Sequence, residues 1–594
     1  MINLQFNGCC DNEMSTLSGR ELLAWALANG AMKEEGAYAV RHGWTPLRDL
    51  PNREHDHSER AWNFMAANFS YLFTHGVGGF EIARKVDVSF SEHVKWCLHF
   101  YDGRFAIHPS FMFVAFGVLQ RRQVLNSARV QMKRKDFARN AQLIQSLCVE
   151  DLQRAAREED EGLRISDERV RLLRRDIFAT SSRVTGSDHS RLSRRNEIWA
   201  MCTFKCGPTG WRTWNMDDLN DPVVQVLCGE TIDMDHFDPT AGADARRRAR
   251  NVAQNPYAVA VAFNYLTKAV YEHILGIKKE GGKLTVEQGV LGRMSGYVAS
   301  VETQGRGSLH SHGMDWFEGA PCYEDMAELL RDTSFRERMT RFVASNIRAH
   351  LPGMSSKEEL EAIPRLSAVG YDRPPDPDSA TFWNDMEKKE RDVVRARQVH
   401  SCKKTTCLRY TRTGVLKCKR GAPFPLSDID RVSRDGTWAC KRTYGYLNNW
   451  NPTFASVLMF NHDYKLLLNG HATRNCTFYG STYMSKKQGR SYNQSALIAN
   501  TYAYHEKDER YVANIRERHR ILIFQCINSL NKMQELSGQL VATYLLGLGD
   551  SFSSHNFVPL YWSSLAGALK RAHRDLRDGG GGRHGERTRR RVYW

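Results

Sequence analysis

The stretch GYVASVETQGRGSLHSHG, from Gly296, constrains the chain most. An apolar run, GYVASVE, has the composition of a strand, and a Gly-Arg-Gly turn then separates it from His310, Ser311 and His312. Alternate residues of a strand share a face, so both imidazoles can reach one divalent ion. Glu302 has the same parity eight residues earlier and offers an oxygen ligand. A mixed histidine and carboxylate set suits Mg²⁺ or Mn²⁺ with positions left open for phosphate. Spacing alone carries little weight: with 21 histidines in 594 residues, a second such pair exists at His55 and His57. That pair lies in the wholly polar NREHDHSER, whereas His310 and His312 follow an apolar strand.

A chain of 594 residues exceeds what one core usually organises, so several units are expected. Lys and Arg number 84 against 67 Asp and Glu, a net +17 that favours a polyanionic partner. There is no signal-peptide pattern and no apolar run of 18 residues, so the expectation is a soluble, intracellular protein, placed in the nucleus, without a membrane partner. Fourteen scattered cysteines point to reduced thiols with one metal site rather than a disulfide framework.

Along the chain, residues 1–130 are aromatic and broken by Gly and Pro, and residues 131–195 form a charged helical linker. Within that linker the pattern reads as two amphipathic helices joined near Gly162, and SSRVTGSDHSRLSRR, from Ser181, as an exposed loop. IWAMCTF, from Ile198, reads as a strand, and residues 256–276 as a long helix. Residues 346–440 are a polar connection carrying a Cys/His cluster, and 441–515 follow with a tyrosine pair. Residues 516–575 are helical, and the Gly/Arg-rich 576–594 reads as a disordered tail.

Tyr479 and Tyr483 stand one helical turn apart, which aims both rings from one face. Two core tyrosines would show the same spacing, but Ser481, Ser485, Lys486, Lys487 and Arg490 make the flanking segment small, polar and basic, suited to a DNA backbone. His400, Cys402, Cys407 and Cys418 place four soft or borderline ligands within nineteen residues. That set fits a tetrahedral structural zinc better than a catalytic metal, with unligated thiols as the other reading.

ASVETQGRGSLHSHG, LNNWNPTF, NHDYKLLLNG, TFYGSTYMSKKQ and SYNQSA, together with WAMCTFKCGPTGW, from Trp199, YLFTHGVGGFE and HPSFMFVAFGVLQRR, resemble the motifs of Helitron rolling-circle transposases. They run in the same order over about residues 65–562. The resemblance implies an α+β fold of the HUH endonuclease type. In it a central antiparallel sheet flanked by helices carries the histidine pair, a helix carries the tyrosines, and a small Cys/His zinc insertion lies between. It also implies a first half at 196–345 with the strand motif and histidines, and a second half at 441–515. Ser311 departs from the pattern where an apolar residue is common. Helitron transposases usually continue into a helicase, yet no G-x-x-x-x-G-K-[ST] occurs, and GIKKEGGK, from Gly276, fails the register. The chain therefore reads as a fragment, a helicase-less relative or a degenerate copy, with any helicase supplied by another chain.

The expected activity is nicking and joining of single-stranded DNA at transposon ends. Glu302, His310 and His312 hold Mg²⁺ or Mn²⁺ on the scissile phosphate. Tyr479 or Tyr483 attacks to leave a 5′-phosphotyrosine, Lys486 and Lys487 favour the phenolate, and Arg306 and Arg490 contact DNA. Two alternatives stand beside it: an inactive or domesticated single-stranded-DNA-binding relative, and a zinc-containing nuclear scaffold protein.

Overall fold

A computed structural model describes residues 64–572, apart from 75–77, 81–83, 237–241, 305–306, 323–324, 367–371, 406, 469, 487–491, 508–513 and 559–561. Five strands form one antiparallel sheet: β1 Gly210–Asn215, β2 Met294–Thr303, β3 Leu309–Phe317, β4 Asn461–Leu466 and β5 Ser551–Ser553. Their spatial order is β4-β1-β3-β2-β5. The fold is therefore α+β with a central antiparallel sheet. Central β3 is buried along almost its whole length, which is what a strand covered on both faces requires.

The helices that matter for the site are α1 Phe111–Met132, α2 Phe137–Gln145, α3 Val149–Asp160, α4 Glu168–Ser181, α5 Asp188–Lys205, α6 Pro256–Ala269, α7 Gly470–Met484, α8 Gln494–Glu506, α9 Ile515–Asn531 and α10 Gly538–Leu545. Helices α1 to α4 pack with α8 and α9 around an apolar cluster that includes Leu125, Phe137, Leu173, Tyr502, Phe524 and Ile527. A second, larger cluster joins the sheet to the aromatic segments before α1 and to the segment around Trp450 and Phe454. The fold's contacts divide the chain after Ser554, and the helix Trp562–Ala572 belongs to the second unit. No helix among the described residues is long and apolar enough to cross a membrane.

Several sequence expectations are corrected. The charged region after α1 holds three helices, because the turn at Ser146–Cys148 adds a break before the expected one at Gly162. The stretch from Ser181 is not an exposed loop: Ser187 caps α5 by accepting from the Ser190 N–H, and Ser181, Val184, Asp188 and Arg191 are buried. IWAMCTF is the C-terminal half of α5 rather than a strand, and the first strand follows it at Gly210. A one-residue cap outweighed β-propensity there, since nothing in IWAMCTF ends the helix before Cys206, at φ +62. Cys206 and Cys322 are joined as a disulfide across 116 residues, which corrects the expectation of thiols throughout. Cys9, Cys10, His55, His57 and the tail at 576–594 lie outside the described residues.

The two faces of the sheet have opposite characters. On one, Arg212 pairs with Asp315, donates to the Tyr271 hydroxyl and lies over the Trp214 and Tyr271 rings. The guanidinium occupies the space above Gly313, where a Cβ would come within 2.6 Å of it. Gly313 is therefore required by its cross-strand partner Arg212. Arg212 and Asp315 are fully buried, so removing one partner strands the other's charge in a dry interior. Asp315→Ala is expected to destabilise the fold by about 3–5 kcal/mol, read as a lower midpoint in denaturant; an unchanged midpoint would show that the pair does not hold the sheet together.

Candidate metal and tyrosine site

The other face carries Trp211 and Thr213 from β1, Ser300 and Glu302 from β2, and His310, His312 and Met314 from β3. Register places Glu302 opposite His310, Ser300 opposite His312, and Thr213 opposite His312 on the far side. Strand parity therefore brings the expected acid and histidine pair together on adjacent strands. Their ligand atoms lie within 4.8 Å of one another. Glu302 Oε2 is 3.8 Å from His310 Nε2, and the two imidazoles meet edge to face at 4.9 Å.

All three side chains are buried, and each leaves one polar atom without a partner: Glu302 Oε1, His310 Nδ1 and His312 Nε2. Unsatisfied buried polar atoms are costly, and three buried ligand-bearing side chains gathered this closely fit a cation between them. Burial pushes His310 down to about 4 and His312 to about 3, the second further depressed by His310, so both rings are neutral at physiological pH. Neutral imidazole is the form that ligates metal. Burial raises the Glu302 carboxyl, while the Arg191 and Lys486 charges pull it back.

Thr213 supplies an outer contact. Its Oγ1 is 3.0 Å from His312 Nδ1, which orients the ring and leaves Nε2 facing the site. The Trp211 ring stacks on the His312 ring at 5.8 Å.

Helix α7 lays the tyrosines over this face. The Tyr483 ring meets His312 edge to face at 4.7 Å, and Tyr479 stacks on Tyr483 at 6.1 Å, one turn further out and 67% exposed. Gly480 permits this approach: a Cβ there would come within 2.5 Å of the Trp211 ring and 2.6 Å of Met314 Cε. Burial raises the Tyr483 phenol, helped by the Glu302 charge and Tyr479 and opposed by Arg420. Lys486 Nζ stands 5.9 Å from the Tyr483 ring centre.

Helix α5 braces the end of α7. Arg191 donates to the Lys486 and Val301 carbonyls and to Ser300 Oγ, and it pairs with Asp550; Arg195, one turn on, donates to Ser485 Oγ. These residues were missed because their segment read as a loop. Their spacing of four, matching that of the tyrosines, was the available signal. Thr213 was missed because the first strand was placed eight residues or more too early.

A second cluster holds His400, Cys402, Cys407 and Cys418, again with ligand atoms within 4.8 Å. Cys418 Sγ is 3.3 Å from His400 Nε2, and Cys407 Sγ accepts from the Lys403 N–H at 3.2 Å. Burial, together with Cys418 and Cys407, raises Cys402 to about 11. Cys418 is lowered against its burial by backbone N–H groups of Ala422 and Arg420 and by the other two thiols. One histidine and three cysteines gathered this closely are the donor set of a tetrahedral soft-cation site. Arg306, Lys487 and Arg490 lie outside the described residues.

No curated protein matches the chain. Residues 93–314, which run from the helices before α1 through the histidine pair to Met314, match the family model described as the Helitron helicase-like domain at the N-terminus, and this part of the chain is similar to that domain.

Proposed function

We propose that the chain is a Helitron-type single-stranded-DNA endonuclease and strand transferase whose nucleophile is tyrosine. The observation that carries this reading is the gathering of three buried side chains, Glu302, His310 and His312, with ligand atoms within 4.8 Å of one another, next to the ring of Tyr483. A purely structural pair of histidines is not expected to keep an unpartnered buried nitrogen on each ring.

Glu302, His310 and His312 are the residues that would hold Mg²⁺ or Mn²⁺, which when bound polarises a nonbridging phosphate oxygen and offsets the charge that builds during displacement. Tyr483, nearest the histidines, is the nucleophile in place. Its oxygen bonds to phosphorus as the bond to the 3′ oxygen breaks, giving a 5′-phosphotyrosine and a free 3′-OH. The Arg420 charge favours the phenolate form against the burial that raises Tyr483, and Lys486, 5.9 Å from the ring, would add to it. Tyr479, exposed one turn away, is placed to take a second strand while the first remains attached. The substrate in this reading is single-stranded DNA, whose unpaired bases can stack on aromatic side chains. His400, Cys402, Cys407 and Cys418 would hold a structural zinc that fixes the segment between the two halves of the site.

Incubation with labelled single-stranded DNA and Mn²⁺ is expected to give a protein-linked 5′ product on denaturing gels. It should disappear in Tyr479→Phe/Tyr483→Phe and in His310→Ala/His312→Ala; binding with no adduct across varied sequences would contradict the reading. The outer contact gives a second test by calorimetry. Thr213→Val should weaken Mn²⁺ binding by about 10–100-fold, and an unchanged affinity would place the ion elsewhere.

A further inference from the structure

The segment that carries the Cys/His cluster has a charge pattern that a structural clasp alone does not need. From His400 to Gly421 there are seven cations, Lys403, Lys404, Arg409, Arg412, Lys417, Lys419 and Arg420, and no acid. All seven are exposed, and the ion pairs among the described residues include none of them.

Between Cys407 and Cys418 the chain forms a two-stranded hairpin, Leu408–Tyr410 against Leu416–Cys418. Its register sets Arg409 directly opposite Lys417. Like charges at a cross-strand pair destabilise a hairpin, and a bound polyanion turns that cost into attraction. The next pair along is Tyr410 and Leu416, with Tyr410 77% exposed. An aromatic ring left in water on a two-stranded, basic hairpin offers a stacking surface for an unpaired base. The segment is within electrostatic reach of the site: the Arg420 charge bears on His310 and Tyr483 as well as on His400.

We propose that the Cys/His-clasped hairpin is a binding surface for single-stranded DNA, gripping phosphates with Arg409, Arg412, Lys417 and Lys419, stacking a base on Tyr410, and leading the strand toward the tyrosines. Its direction, though not the binding itself, rests on the nickase reading above. The clasp at Cys407 and Cys418 fixes the two strand ends, so the cations are held in place before the strand arrives.

The test uses the full chain and a fluorescein-labelled oligonucleotide of thirty thymidines, followed by anisotropy over a range of salt. Arg409→Glu/Arg412→Glu/Lys417→Glu is expected to weaken binding at least tenfold and to lower the slope of log Kd against log salt by about 2, since each phosphate contact on a single strand contributes about 0.7. Tyr410→Ala should weaken binding by about 5-fold or more, and Tyr410→Phe should keep it, which separates stacking from misfolding. Equal affinity and salt slope in the charge variant and in Tyr410→Ala would overturn the proposal, as would a wild-type chain that does not bind the oligonucleotide. The variant Tyr479→Phe/Tyr483→Phe should bind as wild type while forming no adduct. A wild-type chain that binds through the hairpin yet never forms an adduct would sink the nickase reading and leave this surface standing.

Discussion

The register between β2 and β3 is the constraint on which the site depends. Where the two strands meet, the Gln304 N–H donates to the Ser308 carbonyl at 2.9 Å, and Gly307 sits at φ +88. In this register Glu302 faces His310 and Ser300 faces His312. A slip of one residue would send both histidines to the face now filled by Arg212 and Asp315. The buried ion pair on one side and the converging ligands on the other thus enforce the same alignment, since each group fits only its own face.

A sheet face that gathers unsatisfied atoms needs a lid, and two helices provide it. The tyrosine helix approaches because Gly480 has no side chain to strike Trp211, and α5 fastens its end through Arg191 and Arg195. Arg191 also reaches β2 and Asp550, so one buried guanidinium ties together the sheet edge, the acid strand and the end of the tyrosine helix. Burial by these helices makes the histidines neutral and the Tyr483 phenol hard to ionise. The burial that keeps the histidines neutral therefore also holds the Tyr483 phenol protonated, and the Arg420 charge works against that second effect.

The alternation in GYVASVE and LHSHG, and the four-residue spacing of Tyr479 and Tyr483, were legible because each is a local periodicity that maps onto one element. The cluster from His400 to Cys418 was legible for the same reason. The segment Ser181–Arg195 was misread because its serines, arginines and glycine suggest a loop, whereas tertiary packing buries Arg191 and Ser181 and a capping serine starts a helix. Placing the first strand at Ile198 rather than Gly210 hid Thr213, and the contact that requires Gly480, with the Trp211 ring, is one between distant segments that the sequence does not show. The Cys206–Cys322 link joins positions 116 residues apart, a distance at which one sequence carries no pairing signal. The Helitron match spans the histidine half of the site, while the tyrosine half is tied to it by geometry.

The account's central claim is that Tyr483 reaches phosphorus from above the Glu302, His310 and His312 cluster. Peptide mapping by mass spectrometry, after reaction with single-stranded DNA in Mn²⁺ and nuclease trimming, tests it most directly. The account requires a nucleotide carried through its 5′ phosphate on the peptide containing Tyr483, with Tyr479 modified only when a second strand is supplied. A 5′ phosphate released free with no modified tyrosine, or a nucleotide on a peptide outside α7, would contradict it.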